Sequence, residues 1–283
     1  MKIATTLMFL SFAFVSVSGQ IVQGVVLGKD TEIPVSYVSI GVIGKEGGTY
    51  SDPEGKFRFT LTGYDKIDSL KFSCIGYKSI TFSLNELIAK YEGDSLKVYL
   101  EKEIFALKGV DIFPRKFRVK EIGNKISNRH ILICGFQDRE GGIVIQNNKT
   151  VFLDKLTFNL SSDEIKLPDS VLFRFNIYNI KNDLPAELLL TRPVYFLLKE
   201  ELKQEKIIVD LEKYGILVTD DFAATLEIIH TYGQGKICFA GWISGNPTIF
   251  KYGKQGKWAY PTDDKKQKLK IYMSMILSVR IEK

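Results

Sequence analysis

The strongest constraint on this chain is a two-residue alternation of apolar and polar side chains. Phe57, Phe59 and Leu61 alternate with Lys56, Arg58 and Thr60; Leu70, Phe72 and Cys74 alternate with Ser69, Lys71 and Ser73. Ile80, Phe82 and Leu84 repeat the pattern, as do Leu96, Val98 and Leu100. Successive side chains of a strand point to opposite faces, so each run predicts a strand with one dry and one wet side. Several such runs punctuated by turn residues predict a β-sandwich. The pattern returns after about Gly141, in "TVFLDKLTFNL", "VLFRFNIYNI", "KIIVDL", "TLEIIHTY" and "KICFAGW". In "IYMSMILSVRIE" it places Ile271, Met273, Met275, Leu277, Val279 and Ile281 on one face. The expected fold class is all-β: two sandwiches, the second of jelly-roll type. "NELIAK" and "LLKEELKQ" are candidate short helical pieces.

The 283 residues suffice for two domains, and 45% apolar and 12% aromatic content supplies their cores. The expected boundaries are a signal peptide at 1–19, a first domain at 20–101, a linker at 102–130 and a second domain at 131–283. "MKIATTLMFLSFAFVSVSG" has an early Lys, an apolar run and small residues before Gln20, the plan of a secretory signal. Its apolar run is shorter than the roughly 20 residues a membrane-spanning helix needs. The chain is therefore expected to be secreted across an inner membrane, to the periplasm or outer-membrane surface. The linker contains Pro114 and a basic run from Arg115 to Arg129, read as a solvated connector, with contact to anionic lipid as the alternative. Formal net charge is +6, with basic residues scattered rather than massed, which argues against nucleic acid as a partner.

"SDPEGKFRFTL" places an acidic cluster directly before a strand. Pro53 and Gly55 stand at the second and fourth positions of a type I turn, with Asp52 able to cap it. A calcium site would require six to eight oxygen ligands, which this stretch does not offer. Of three cysteines, Cys74 reads as a small buried hydrophobe, and Cys134 and Cys238 could form a single bridge or remain free.

The stretch "GVVLGKDTEIPVSYVSIGVIGKEGGTYSDPEGKFRFTL", followed by "DSLKFSCIGYKS", resembles a carboxypeptidase regulatory-like domain. The shared features are a strand ending in Gly, a Pro before the "V-S-I" strand, Gly48-Thr49-Tyr50-Ser51-Asp52 with Gly55 and Phe57, and the closing Ile75-Gly76-Tyr77. The resemblance covers roughly residues 21–101. It implies a seven-stranded, transthyretin-like sandwich of the Gram-negative envelope, often placed ahead of outer-membrane receptors. In carboxypeptidases the module accompanies a separate zinc-dependent catalytic domain. The two histidines here, His130 and His230, lie in no H-x-x-E or H-E-x-x-H arrangement. "FRFNIYNIKNDLPAELLL" and "IIVDLEKYGILVTDDF" resemble the second domain of envelope proteins that carry this module.

"GWISG" lacks the spacing of a nucleophile elbow, and "GQGKIC" lacks the third Gly of a dinucleotide fingerprint. No catalytic residue, cofactor or metal site is expected. The best binding candidates are the aromatics of "GWISGNPTIFKYGKQGKWAYPTDD": Trp242, Tyr252, Trp258 and Tyr260, with Lys251 and Arg280 as weaker rim contacts. Loop aromatics can stack on a sugar or peptide while their polar edges stay wet; the alternative is that both Trp close the end of the core. The expected function is a secreted, non-catalytic envelope protein that binds or assembles. A glycan-binding accessory role is the alternative. The expected partners are an envelope protein or a surface glycan, with peripheral contact to the outer membrane.

Overall fold

A computed structural model describes residues 21–90, 95–103, 117–125, 131–134, 139–160, 166–204, 206–242, 244–263 and 265–282. The expected signal segment lies outside them, as does His130. The first seven strands are β1 (Ile21–Gly28), β2 (Ser39–Val42), β3 (Thr49–Tyr50), β4 (Lys56–Thr60), β5 (Ser69–Ser73), β6 (Ile80–Ser83) and β7 (Leu96–Leu100). They form a three-stranded sheet, β4-β1-β7, and a four-stranded sheet, β3-β2-β5-β6. Helix α1 (Leu84–Lys90) follows β6. Between the sheets, Phe57, Phe59, Leu70, Phe72, Val98 and Leu100 pack into one core, as the alternation requires. Each fully buried large apolar side chain contributes about 1.5–3 kcal/mol.

The acidic cluster is the corner that launches β4. The Asp52 carbonyl accepts the Gly55 N–H at 3.0 Å, and Asp52 Oδ1 accepts the Lys56 N–H at 2.8 Å. Gly55 has φ +73°, and a Cβ there would lie 2.6 Å from the Val26 carbonyl oxygen. The carboxylate is thus engaged in turn chemistry.

Fifteen further strands build the second unit among the described residues. They are β8 (Phe117–Asn124), β9 (Ile131–Cys134), β10 (Arg139–Ile145), β11 (Val151–Asn159), β12 (Ser170–Lys181), β13 (Leu184–Leu188), β14 (Val194–Leu198) and β15 (Lys206–Asp210). Then come β16 (Leu217–Val218), β17 (Phe222–Tyr232), β18 (Cys238–Trp242), β19 (Thr248–Tyr252), β20 (Trp258–Ala259), β21 (Tyr272–Met273) and β22 (Met275–Glu282). The larger sheet runs β13-β12-β17-β10-β19-β20, with β14 also on β12. It packs on β15-β11-β22-β8, to which β16 adds through β11. A small β21-β18-β9 sheet completes the unit. Phe158, Phe173, Phe196 and Phe239 meet in the core, with Phe173 and Phe196 ring centroids 5.4 Å apart. The predicted face of the last strand is buried from Met273 to Ile281. The fold is thus all-β with two sandwiches. "LLKEELKQ" contains a short 3-10 turn at Glu200–Lys203.

Two details depart from the sequence reading. Part of the expected linker, residues 117–124, is strand β8, paired with β22 along its whole length. It is an outer strand whose side chains are mostly exposed, so it carries little apolar alternation. Cys74, expected as a small buried hydrophobe, is half-buried: it packs against the first core and also lines the side turned toward the second unit. Cys134 and Cys238 face each other on β9 and β18 and are bonded, which resolves the alternative left open above.

Candidate functional site

The long strands β12 and β17 are buried on both faces. Phe173, Phe175 and Ile177 point into the second sandwich, so Arg174, Asn176 and Tyr178 must point away from it. On β17, Leu226 and Ile228 point in, and Thr225 and Glu227 point out. Arg174, Asn176, Thr225 and Glu227 are nonetheless buried, because the first sandwich lies over this face.

Strand register lines the polar groups into one row. Tyr195 pairs with Arg174, Arg174 with Glu227, Glu227 with Glu140, Glu140 with Lys251, and Lys251 with Trp258. Two carboxylates directly opposite each other on neighbouring strands repel. Here each has a cation on its far side. Arg174 donates to Glu227 Oε2 from Nε at 3.1 Å and from Nη2 at 2.6 Å. Lys251 forms a salt bridge with Glu140, which also accepts from Thr225 Oγ1 at 2.5 Å, Asn176 Nδ2 at 2.7 Å and the Tyr178 hydroxyl at 3.1 Å. Glu140 and Glu227 are each 1% exposed.

The row's electrostatics follow from this pairing. Burial opposes charge on Glu227, but Arg174, then Lys251 and Lys254, and the hydrogen bond from Tyr50 outweigh it and hold the carboxyl well below the usual carboxylate range. Burial also opposes charge on Lys251, and Glu140 overrides it, holding the ammonium above the usual lysine range. Burial pushes up the phenol of Tyr50, reinforced by Glu227, and that of Tyr178, reinforced by Glu140.

The first sandwich closes over this row through its own motif residues. Tyr50, from the Gly-Thr-Tyr-Ser stretch, donates its hydroxyl hydrogen to Glu227 Oε1. Its ring lies beneath the Lys254 ammonium, 4.2 Å from the ring centroid. Beside it, the Tyr37 and Tyr195 rings meet at 5.4 Å. The β19–β20 turn acts as a tongue laid against β2 and β3. Lys254 N–H donates to the Gly47 carbonyl at 2.9 Å, and Gly44 N–H donates to the Gln255 carbonyl at 2.8 Å. Gln255 Nε2 reaches Ser73 Oγ at 2.7 Å and Ser39 Oγ at 3.2 Å.

Next to the tongue lies a cleft of about 520 Å³, lined from the first sandwich by Ser39, Lys71, Ser73 and Cys74. Arg174, Asn176, Tyr178, Lys251 and Trp258 line it from the second. Glu103 is the one carboxylate among the described lining residues; Glu140 and Glu227 do not reach its surface. Among the described residues no group of three His, Cys, Asp or Glu could hold a metal ion. No described helix is long and apolar enough to cross a membrane.

Of the aromatics singled out in the sequence, Trp258 and Tyr260 line different clefts and Tyr252 lines neither. Trp258 is half-buried at the cleft, its ring 5.2 Å from that of Tyr178 and under the Lys251 ammonium at 5.1 Å. Tyr260 lines a separate pocket of about 550 Å³ with Asp183, Asp221, Lys268 and Tyr272, and its hydroxyl donates to the Asp183 carbonyl at 2.9 Å. Tyr252 packs against Phe250, with Arg139 4.5 Å from its ring centroid. Trp242 ends β18, paired with Tyr272. Lys251 belongs to the buried row and also lines the cleft. Arg280 is remote from it, bonded through Nε to Asp154 Oδ1 at 2.7 Å. His230 is exposed near the C-terminal end of β17, where it pairs with Leu172 and its ring meets that of Tyr232.

Sequence reasoning missed Arg174, Asn176, Glu227, Glu140 and Tyr50. The first three occupy the polar phase of their strands, where they read as solvent-facing. The available signal was their density: "FRFNIYN" and "LEII" set charged and amide groups amid strongly apolar runs.

Residues 22–112 match the family model of the CarboxypepD_reg-like domain, as the motif resemblance implied. That domain is a regulatory, non-catalytic β-sandwich module. None of the curated proteins compared matches the chain. A solved structure of the infectious bursal disease virus Gx strain is similar at 10% identity and a TM-score of 0.20, a likeness too slight to inform the fold. It covers 93% of this chain, which spans 59% of that viral chain.

Proposed function

We propose that this chain is a secreted, non-catalytic protein of the bacterial envelope that uses two docked β-sandwiches to bind or assemble with an envelope protein or surface glycan. The observation that carries the reading is the saturation of the buried row. Glu227 is held by Arg174 and Tyr50, and Glu140 by Lys251, Thr225, Asn176 and Tyr178. A general acid or base must reach substrate directly or through one water. These carboxylates are sunk beneath their partners. Glycoside hydrolysis asks for two carboxylates across a cleft, and the described lining supplies Glu103 alone. The row instead fixes one sandwich on the other, the requirement of a rigid binding module. The Cys134–Cys238 bridge supports an oxidising compartment, where such bonds persist.

The test is affinity capture from detergent-solubilised envelopes, with a parallel screen against peptide and glycoside substrates. Selective enrichment of one envelope component by the intact chain, with no turnover, supports the reading. Reproducible turnover contradicts it. Glycan binding is the second reading, favoured by Trp258 at the cleft and Tyr260 in its own pocket.

A further inference from the structure

We infer that the cleft between the sandwiches is a saccharide site, with Asn176 accepting a ligand hydroxyl, Trp258 forming its apolar wall, and the Ser73 side contributed by the first domain. The inference rests on the glycan-binding reading and gives it a location.

Asn176 carries the argument. It lines the cleft and is 1% exposed. Its Nδ2 donates to Glu140 Oε1 at 2.7 Å and to Glu227 Oε2 at 3.5 Å. Reversing the amide would turn its oxygen toward two carboxylates, so its orientation is fixed. Oδ1 therefore has no donor among the described residues. A buried acceptor without a donor costs about 1–3 kcal/mol; Oδ1 lies just beneath the cleft lining, so a ligand hydroxyl would satisfy it by displacing the side chains that cover it.

The remaining lining suits a hydroxyl-rich guest. The Trp258 ring offers an apolar surface, while Ser39 and Ser73 of the facing sandwich, whose oxygens accept from Gln255 Nε2, keep hydroxyl hydrogens to donate. The volume of about 520 Å³ lies within the range of about 300–1,000 Å³ common for small-ligand sites. Set against Glu103 at the lining and the buried Glu140 and Glu227, the cations Lys71, Arg174, Lys251 and Lys254 leave a slight positive excess that disfavours a cationic ligand, so the class is a neutral or acidic saccharide. An extended peptide fits less well. The floor is the face of a sheet, which presents side chains, whereas peptide strand addition uses a free sheet edge.

The experiment uses the full chain on an array of neutral and acidic mono- and disaccharides, followed by tryptophan-fluorescence titration with the sugars that bind. The expected result is saturable binding weakened about tenfold by Trp258→Ala and by Ser73→Ala, the scale of one lost ring contact or hydrogen bond. Asn176→Ala should weaken binding too. Because Asn176 also braces Glu140, the other two variants, with unchanged melting curves, decide the matter. Binding that is indifferent to Trp258→Ala and Ser73→Ala but lost in Tyr260→Ala overturns the cleft assignment and leaves the glycan reading standing. Silence across the array removes the glycan reading itself, and this inference with it.

Discussion

Tyr50 of the first sandwich donates its hydroxyl hydrogen bond to Glu227 of the second, 177 positions away in sequence. The donor comes from the motif that marks the first domain, and the acceptor from the outward face of a strand that its own core does not need. Each sandwich closes its core independently, so this contact is a device for joining them. Because Glu227 is also gripped by Arg174, the two domains share one buried charge pair.

Glu227→Ala should be among the most damaging single substitutions. It leaves Arg174, 6% exposed, without its counter-charge. Breaking a buried pair this way costs about 3–5 kcal/mol, whereas replacing both partners with apolar groups of similar volume is often neutral. Urea denaturation should show the large loss in Glu227→Ala and substantial recovery in Arg174→Met/Glu227→Leu. An equal loss in both would contradict the pairing account.

Stability should be flat across mid-range pH and fall on both sides. Glu227 has a depressed folded pKa, so its contribution is full above the unfolded value of about 4.3 and is lost progressively as pH drops toward the folded value. Lys251 is shifted upward, so its contribution is full below its unfolded value of about 10.4 and is lost as pH rises through the folded value. Melting temperatures from pH 2 to 11 check both limbs. In Glu227→Gln the acid limb should be shallower.

The β19–β20 tongue should tolerate no side chain at its first glycine. Gly253 has φ +77°, and a Cβ would meet Gly47 N at 2.7 Å and Glu46 Cα at 2.8 Å on the other domain. Gly253→Ala is expected to loosen docking while both cores persist. Small-angle scattering should give a larger radius of gyration with an unchanged far-ultraviolet circular dichroism spectrum.

The Cys134–Cys238 bridge closes a loop of 104 residues. On the chain-entropy account a loop of about 100 residues gains about 4.7 kcal/mol from closure. Adding reductant should therefore lower the denaturation midpoint sharply, and alkylation before reduction should label Cys74 alone.

What the sequence revealed and what it hid divide along one physical line. Phe57, Phe59 and Leu61, or Met275, Leu277 and Val279, are legible because burying an apolar side chain is advantageous against any partner surface. Arg174, Asn176 and Glu227 obey the same alternation, yet alternation cannot say whether the outward face meets water or another domain. The charged groups that join the sandwiches therefore look like ordinary solvent-facing residues. Strand β8 was hidden for a related reason: Arg118, Lys120 and Glu121 face solvent on an outer strand, and its pairing with β22 runs through backbone groups common to every residue. The aromatic segment also holds a contact that sequence could not assign. Its Gly253–Lys257 stretch makes contacts, and the partner is the chain's own first domain.

The most direct test of a locked two-sandwich unit is residual dipolar couplings measured on the backbone amides of both domains in one weakly aligned sample. A single alignment tensor fitting both sandwiches, in the relative orientation that joins Tyr50 to Glu227, is the predicted result. Two tensors of different magnitude, one per domain, would mean that the sandwiches move independently and would contradict it.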